Sequence, residues 1–96
     1  MSVNDIFQAL SDPTRREILR LLRRTDMTAG EIADRFPLAK STLSAHFRLL
    51  RQAGLIVAEK RATTIRYSLN VSAVEEAVGL VMDVLKIGTR KKDRSS

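Results

Sequence analysis

The sequence predicts a mainly α-helical domain with one β-hairpin, its elements following in the order α-α-α-α-β-β-α. Apolar residues recur at helical spacing as far as Gly54 and again after Ser72, whereas the stretch between them alternates apolar and polar side chains as strands do. Because 96 residues hold a single hydrophobic core, we expect one domain over residues 1–88. Residues 89–96 are basic and polar, which predicts a disordered tail.

The first two helices follow from apolar spacing and from a start signal between them. A short first helix is indicated by four apolar residues at three- and four-residue spacing: Val3, Ile6, Phe7 and Leu10. Asp12 and Pro13 then combine a side-chain cap with proline at the first helical position, so the second helix should run to about Arg24. Arg15 lies near its apolar stripe, either as a buried arginine paired with a carboxylate or as a phosphate contact.

The next two helices form a helix-turn-helix unit. Thr28 and Glu31 have capping-box spacing, so a short helix should begin at about residue 29 and end near residue 36. Pro37 cannot continue it and marks the turn. A longer helix should begin at about residue 40 and end before Gly54, which favours the left-handed conformation at helix ends. Two helices joined by a short turn are typical of this motif.

The longer helix carries two chemically different faces. Leu43, Phe47 and Leu50 form an apolar stripe. The opposite face carries only cations and small hydroxyl groups: Lys40, Ser41, Ser44, Arg48 and Arg51. Such groups pair with phosphate oxygens and base edges in a major groove, which favours DNA contact. The alternative is a solvated helix face, but such faces usually carry both signs of charge, and residues 40–53 include no acid.

Composition favours a nucleic-acid partner and argues against several other classes. Lys and Arg number 17 against 11 Asp and Glu, a net charge of +6, and the sequence pI is about 10.5. The absence of cysteine excludes disulfides and thiolate metal ligands. With a single histidine and no glycine-rich phosphate loop, we expect neither an enzyme nor a cofactor. No apolar run is long enough to span a bilayer, so we expect a cytoplasmic protein.

A basic β-hairpin follows the helix-turn-helix. Residues 55–61 and 64–69 are rich in β-branched side chains, and the second stretch alternates between apolar and polar residues. The loop at Ala62 and Thr63 lacks a tight-turn signal. Cations gather at this end: Lys60, Arg61 and Arg66. A basic hairpin in this position is typical of the wing of a winged helix, which places cations at the DNA backbone or minor groove; an ordinary solvated hairpin is the alternative.

The final helix is predicted to begin at Ser72, whose hydroxyl and Glu75 have capping-box spacing. Its apolar face is wider than a terminal helix on so small a core requires. Together with the first helix it is interpreted as a homodimer interface, the alternative being that both helices pack only within the subunit. The interface residues are predicted to be Ile6, Phe7, Leu10, Val74, Val78, Val81, Met82 and Leu85.

Four segments carry a family resemblance: ALSDPTRREILRLL, DMTAGEIADRF, STLSAHFRLLRQAGLI and RYSLN. Through them, most of residues 7–70 resemble the ArsR-type winged helix-turn-helix repressors, and within that family the small autorepressors of the SdpR type. The resemblance implies a homodimer that binds a pseudo-palindromic operator in double-stranded DNA and represses transcription. An inducer or an anti-repressor protein is neither supported nor excluded, and a winged-helix protein-interaction module with non-specific DNA affinity is the alternative function.

The resemblance also implies which residues read DNA, because Ser41, Thr42, Ser44 and His46 stand where the family contacts bases. With the phosphate contacts, the DNA-binding residues are predicted to be Thr28, Lys40, Ser41, Thr42, Ser44, His46, Arg48, Arg61 and Arg66. His46 lies beside the apolar stripe, so it either packs structurally or contacts DNA.

Two departures from the family pattern matter. Relatives that sense metals use a cysteine motif before the recognition helix or Asp and His ligands on the last helix, and this chain has neither set. We therefore expect no metal site and no metal response. Ala62 stands where relatives commonly have glycine, so the wing tip departs as well.

Overall fold

The computed structural model describes residues 2–85, so the tail predicted for residues 89–96 lies outside the described residues. The elements are α1 Val3–Leu10, α2 Pro13–Arg24, β1 Met27–Thr28, α3 Ala29–Ala33, α4 Lys40–Gln52, β2 Ile56–Arg61, β3 Thr64–Leu69 and α5 Val71–Leu85. The helices and the hairpin confirm the predicted winged helix-turn-helix order. None of these helices is both long enough and apolar enough to cross a membrane.

Local signals account for most of the helix boundaries. Asp12 Oδ2 accepts the backbone N–H groups of Thr14 and Arg15 at 2.8 and 3.2 Å, which caps α2. The capping box before α3 is also present, since Thr28 and Glu31 each accept the other's backbone N–H. The helix α3 is nevertheless shorter than predicted and ends at Ala33.

The predicted start of the last helix is wrong. The helix α5 begins at Val71, and its cap is Asn70, whose Oδ1 accepts the N–H of Ala73 at 3.2 Å. Ser72 lies inside the first turn. Asn70 occupies the cap position because its own N–H donates to the carbonyl of Leu55 at 2.9 Å, a contact from a distant part of the chain.

The hairpin belongs to a three-stranded antiparallel sheet with strand order β1-β3-β2. In β1, Met27 lies opposite Tyr67 and Thr28 lies opposite Arg66 of β3. A two-residue strand has no detectable alternation, so the sequence did not predict it. The strand ties the start of α3 to the wing.

The apolar stripe of α4 packs into the core as predicted. Leu43, Phe47 and Leu50 are buried, and the rings of Phe47 and Tyr67 stack with centroids 4.4 Å apart. Burial raises the pKa of the Tyr67 hydroxyl, and the charge of Arg51 partly offsets this rise. The packing fixes α4 against the sheet, so that its opposite face points outward.

The wing tip stores backbone strain at Ala62, whose φ of 56° lies in the left-handed region that favours glycine. We expect Ala62→Gly to raise the free energy of unfolding by about 1 kcal/mol, because the strain lost exceeds the added entropy of the unfolded chain. Urea denaturation monitored by circular dichroism measures this change. A lower denaturation midpoint in Ala62→Gly would contradict it.

Candidate nucleic-acid interface

The outward face of α4 is exposed and contains no carboxylate. Five predicted DNA-binding residues of this helix are exposed: Lys40, Ser41, Thr42, Ser44 and Arg48. The helix begins after Ala39, which makes no side-chain cap. Backbone N–H groups of the first turn are therefore left without a side-chain acceptor, and a helix N-terminus with such groups favours phosphate oxygens. The face combines anion-binding groups with hydroxyls that can reach base edges.

His46 differs from these residues because its ring points back into the protein. Its side chain is 13% exposed, and Nδ1 lies 3.0 Å from Nη1 of Arg15 on α2. Of the two roles left open by the sequence, this geometry favours structural packing. Arg15 itself is buried. Its guanidinium donates to the carbonyls of Gln8 and Ala9 and to Oγ of Ser11 and contacts His46, and no carboxylate pairs with it among the described residues. Carbonyl partners of this kind carry no signature in a sequence.

Asp12 lies at the edge of the same cluster, with Oδ2 4.0 Å from Nδ1 of His46. Desolvation raises the pKa of its carboxyl, but the N–H groups of Arg15 and Thr14 and the charges of His46 and Arg15 together lower the pKa below the ordinary value. The group is therefore held as a carboxylate that caps α2 and faces α4.

Thr28 stands at the junction of β1 and α3. Its Oγ1 accepts the N–H of Glu31 at 3.1 Å. The hydrogen bond from the backbone N–H of Thr28 has the largest effect on the Glu31 carboxyl and lowers its pKa. Burial raises this pKa, whereas the Thr28 hydroxyl and the charge of Arg66 lower it further, so the pKa lies below its ordinary value.

The two predicted wing arginines flank a carboxylate. Arg61 Nη2 lies 3.1 Å from Oε2 of Glu59, and Glu59 stands directly opposite Arg66 in the β2–β3 register. Glu59, Arg61 and Arg66 are all exposed. The sequence analysis did not weigh Glu59, although its alternation with Arg61 on the same strand places both on one face. The wing is therefore less positive than the count of its cations indicates.

The predicted dimer residues divide between core and surface. Ile6 is 1% exposed and belongs to the core, so its assignment to an interface is wrong. Leu10, Val74 and Val81 are half-buried. The exposed members are Phe7, Val78, Met82 and Leu85. Of these, Val78 and Met82 line an apolar groove of about 270 Å³ between α5 and the first two helices.

No group of three or more potential metal ligands occurs within residues 2–85. The position where metal-sensing relatives carry a cysteine motif is here occupied by the short β1 strand and the capping box before α3. These residues are used for backbone pairing and capping.

Comparison with known proteins places these features in a family. The profile of a helix-turn-helix domain matches residues 10–59. The chain is 40% identical over 86 residues to the transcriptional repressor SdpR of Bacillus subtilis, covering 90% of this chain and 96% of that protein. It is 32% identical over 76 residues to the transcriptional activator HlyU of Vibrio cholerae, covering 79% of this chain and 70% of that protein.

Solved structures agree with these sequence matches. An ArsR-like transcriptional regulator from Rhodococcus superimposes with a TM-score of 0.76 at 28% identity, covering 96% of this chain and 87% of that one. A second ArsR family regulator gives a TM-score of 0.79 at 28% identity, with coverages of 88% and 92%. The sequence identity, the shared wing and the acid-free face of α4 lead to one conclusion: the chain belongs to the ArsR family of winged helix-turn-helix transcriptional regulators.

Proposed function

We propose that this protein is a sequence-specific transcriptional repressor, rather than an enzyme, that binds a pseudo-palindromic operator as a homodimer. The observation that carries this proposal is the exposed, acid-free face of α4, whose apolar side is fixed in the core. The groups on this face match the chemistry of a major groove. The exposed face of a helix in a protein-interaction domain would have no physical reason to lack Asp and Glu residues.

Phosphate contacts and base contacts have different roles in the proposed complex. Thr28, Lys40 and the wing arginines would supply most of the affinity by displacing counterions. Ser41, Thr42 and Ser44 would discriminate between base pairs, and Arg48 would assist from the same helix face. His46, which points toward Arg15, is proposed to act on DNA through the position of α4 rather than by its own contact.

The proposed dimer joins subunits through α1 and α5. Exposed apolar residues on these helices support it, since Phe7 is 42% and Val78 is 52% exposed. Two-fold symmetry would place two α4 helices about 34 Å apart, in successive major grooves on one side of the duplex. A dimer there would block polymerase by occupying the promoter.

The regulated promoter is proposed to be the protein's own, with repression independent of metal and taking place in the cytoplasm. Similarity to SdpR, a transcriptional repressor, supports repression rather than activation. The lack of a clustered ligand set in the described part of the chain supports independence from metals.

Fluorescence anisotropy tests the proposal by titrating the full chain against its own upstream promoter and a scrambled duplex at two salt concentrations. We expect the promoter to be preferred by at least about 10³-fold, with both affinities falling as salt rises. If the protein binds both duplexes equally, its operator lies elsewhere or does not exist, and a selection of binding sites from random DNA then distinguishes these two cases. Weak binding without preference after that selection would contradict the proposal and favour a protein-interaction module.

Glu59 provides a prediction for the wing. Glu59→Gln removes the carboxylate between Arg61 and Arg66 and should strengthen binding to promoter and scrambled DNA alike, by roughly two- to fivefold at low salt. The reason is that Arg61 loses its ion pair and that the negative charge opposite Arg66 disappears, so both cations attract phosphates more strongly. The gain should shrink as salt rises, which anisotropy titrations measure. Unchanged affinity for both duplexes would show that the wing lies away from the DNA.

A further inference from the structure

The ring of Tyr67 is buried, but its hydroxyl is not used by the fold. The residue is 5% exposed, and its ring stacks on Phe47 of α4. The hydroxyl makes no hydrogen bond within residues 2–85. Every fully buried side-chain nitrogen or oxygen of these residues has a partner, so the Tyr67 oxygen must reach solvent. Because a buried tyrosine ordinarily bonds its hydroxyl to the protein, this one is available to a partner outside the subunit.

Arg51 lies beside this hydroxyl on α4. It follows Phe47 by four residues, so it stands on the same side of the helix as the ring on which Tyr67 stacks. Its positive charge also lowers the pKa of the Tyr67 hydroxyl, against the effect of burial, as expected of a nearby cation. Arg51 is exposed and makes no ion pair within the described part of the chain, whereas Arg61 on the wing is paired with Glu59.

Together the two groups favour an anion. A guanidinium only donates hydrogen bonds, and a phenolic hydroxyl can donate one. Since they do not bond each other, both can donate to the same acceptor. Arginine and tyrosine are both side chains that bind DNA phosphates. The place is continuous with the proposed DNA surface, because Arg48 lies one turn before Arg51 and no acid occurs in residues 40–53.

We propose that Arg51 and the hydroxyl of Tyr67 together bind one backbone phosphate of duplex DNA where α4 meets β3. Neither residue is among the DNA-binding residues predicted from the sequence. The Tyr67 ring is held by Phe47 and by the pairing of β3 with both neighbouring strands, so its hydroxyl loses little freedom when the phosphate binds. The inference rests on the proposed function, because it requires the exposed face of α4 to meet DNA.

The first test is Tyr67→Phe, which removes the hydroxyl and keeps the ring stack. Fluorescence anisotropy with the full chain should show the affinities for promoter and scrambled duplex falling alike, by about tenfold, the usual effect of losing one hydrogen bond to a charged group. The urea denaturation midpoint should stay that of the wild type, since the hydroxyl makes no bond within the described residues. Unchanged affinities, or a fall in affinity together with a lower midpoint, would overturn the contact.

The second test is Arg51→Gln, with the salt dependence of binding as its readout. The slope of log affinity against log salt should become shallower by about 0.9 for either duplex, the value for one phosphate contact. Arg51 also lies in the last turn of α4, where a cation stabilises the helix. Loss of that stabilising effect would lower the urea midpoint and leave the slope unchanged. A slope equal to that of the wild type would therefore overturn the contact.

Arg23→Gln is the matched control for the lost charge. Arg23 is exposed on α2 and follows Leu19 by four residues, and Leu19 lines the groove beside α5. The control therefore removes one positive charge on another face of the protein, and its slope should stay that of the wild type. An equal change of slope in Arg23→Gln and Arg51→Gln would show an effect of net charge and overturn the assignment.

The double variant tests whether both groups bind the same phosphate. If they do, Tyr67→Phe should weaken binding by less than about twofold when Arg51→Gln is already present, because residues that share a partner do not act additively. Single effects that simply multiply would overturn the shared phosphate.

Failure of this inference can be distinguished from failure of the proposed function. Every duplex carries phosphates, so the variants should leave the ratio of promoter to scrambled affinity unchanged. A wild-type protein without preference for any DNA sequence would contradict the proposed repressor, while the slopes measured on the scrambled duplex would still decide the phosphate contact. A wild-type protein that binds neither duplex at low salt would overturn both.

Discussion

Ser44→Glu is expected to abolish operator binding and leave the dimer intact. Ser44 is exposed on α4 between Lys40 and Arg48, in a stretch with no acid. A carboxylate there would face base edges and phosphates across a narrow contact, where an unpaired charge loses its water without gaining a partner. We expect operator affinity to fall by at least about 10²-fold in anisotropy titrations.

Ser72→Glu is the matched control for this change. It makes the same substitution on an exposed helical serine, but in the first turn of α5, where a negative charge is favoured. Its effect on operator affinity should be limited to the small loss that one added negative charge causes. Sedimentation should show Ser44→Glu as a dimer. Operator affinity in Ser44→Glu equal to that of Ser72→Glu would refute the assignment of α4 as the reading helix.

Val78→Glu is expected to dissociate the proposed dimer and to weaken operator binding with it. Val78 is 52% exposed within the subunit, so the fold of a single chain should tolerate glutamate, which also favours helix more than valine. Two-fold symmetry would introduce the charge twice into one apolar interface. We expect the dimer to weaken by at least about 10²-fold and operator affinity to fall similarly, because the half-sites lose their linkage.

Light scattering coupled to size-exclusion chromatography measures the mass of each variant across a range of concentrations. Ser72→Glu again provides the control, since it adds a charge on the polar side of α5. Its mass should stay that of the wild type. A wild-type monomer, or a Val78→Glu protein that remains dimeric, would contradict the assignment of α5 to the interface.

The sequence predicted those elements whose signals are local. The cap of Asp12, the capping box of Thr28 with Glu31, and the left-handed Gly54 at φ 77° all act within a few residues of the boundaries that they set. The apolar stripe of α4 likewise repeats at the helical period, so both its burial and the outward direction of the opposite face could be read.

The failures involve contacts between residues far apart in the chain. The strand β1 exists only because β3 lies beside it, and Asn70 caps α5 because its N–H is held by Leu55. Ile6 matches the apolar stripe of an exposed helix but is buried against the rest of the subunit. No pattern within a window of a few residues reports such partners.

The sequence by itself determined the winged helix-turn-helix order, the basic charge and the acid-free face of α4, because periodicity and residue chemistry are properties of the chain alone. Tertiary structure decided how those groups are used. It turned His46 toward Arg15 and set Glu59 between Arg61 and Arg66. The reason is physical: hydrogen bonds and ion pairs depend on distances of a few ångströms, and only the packing of α4 and the wing fixes those distances.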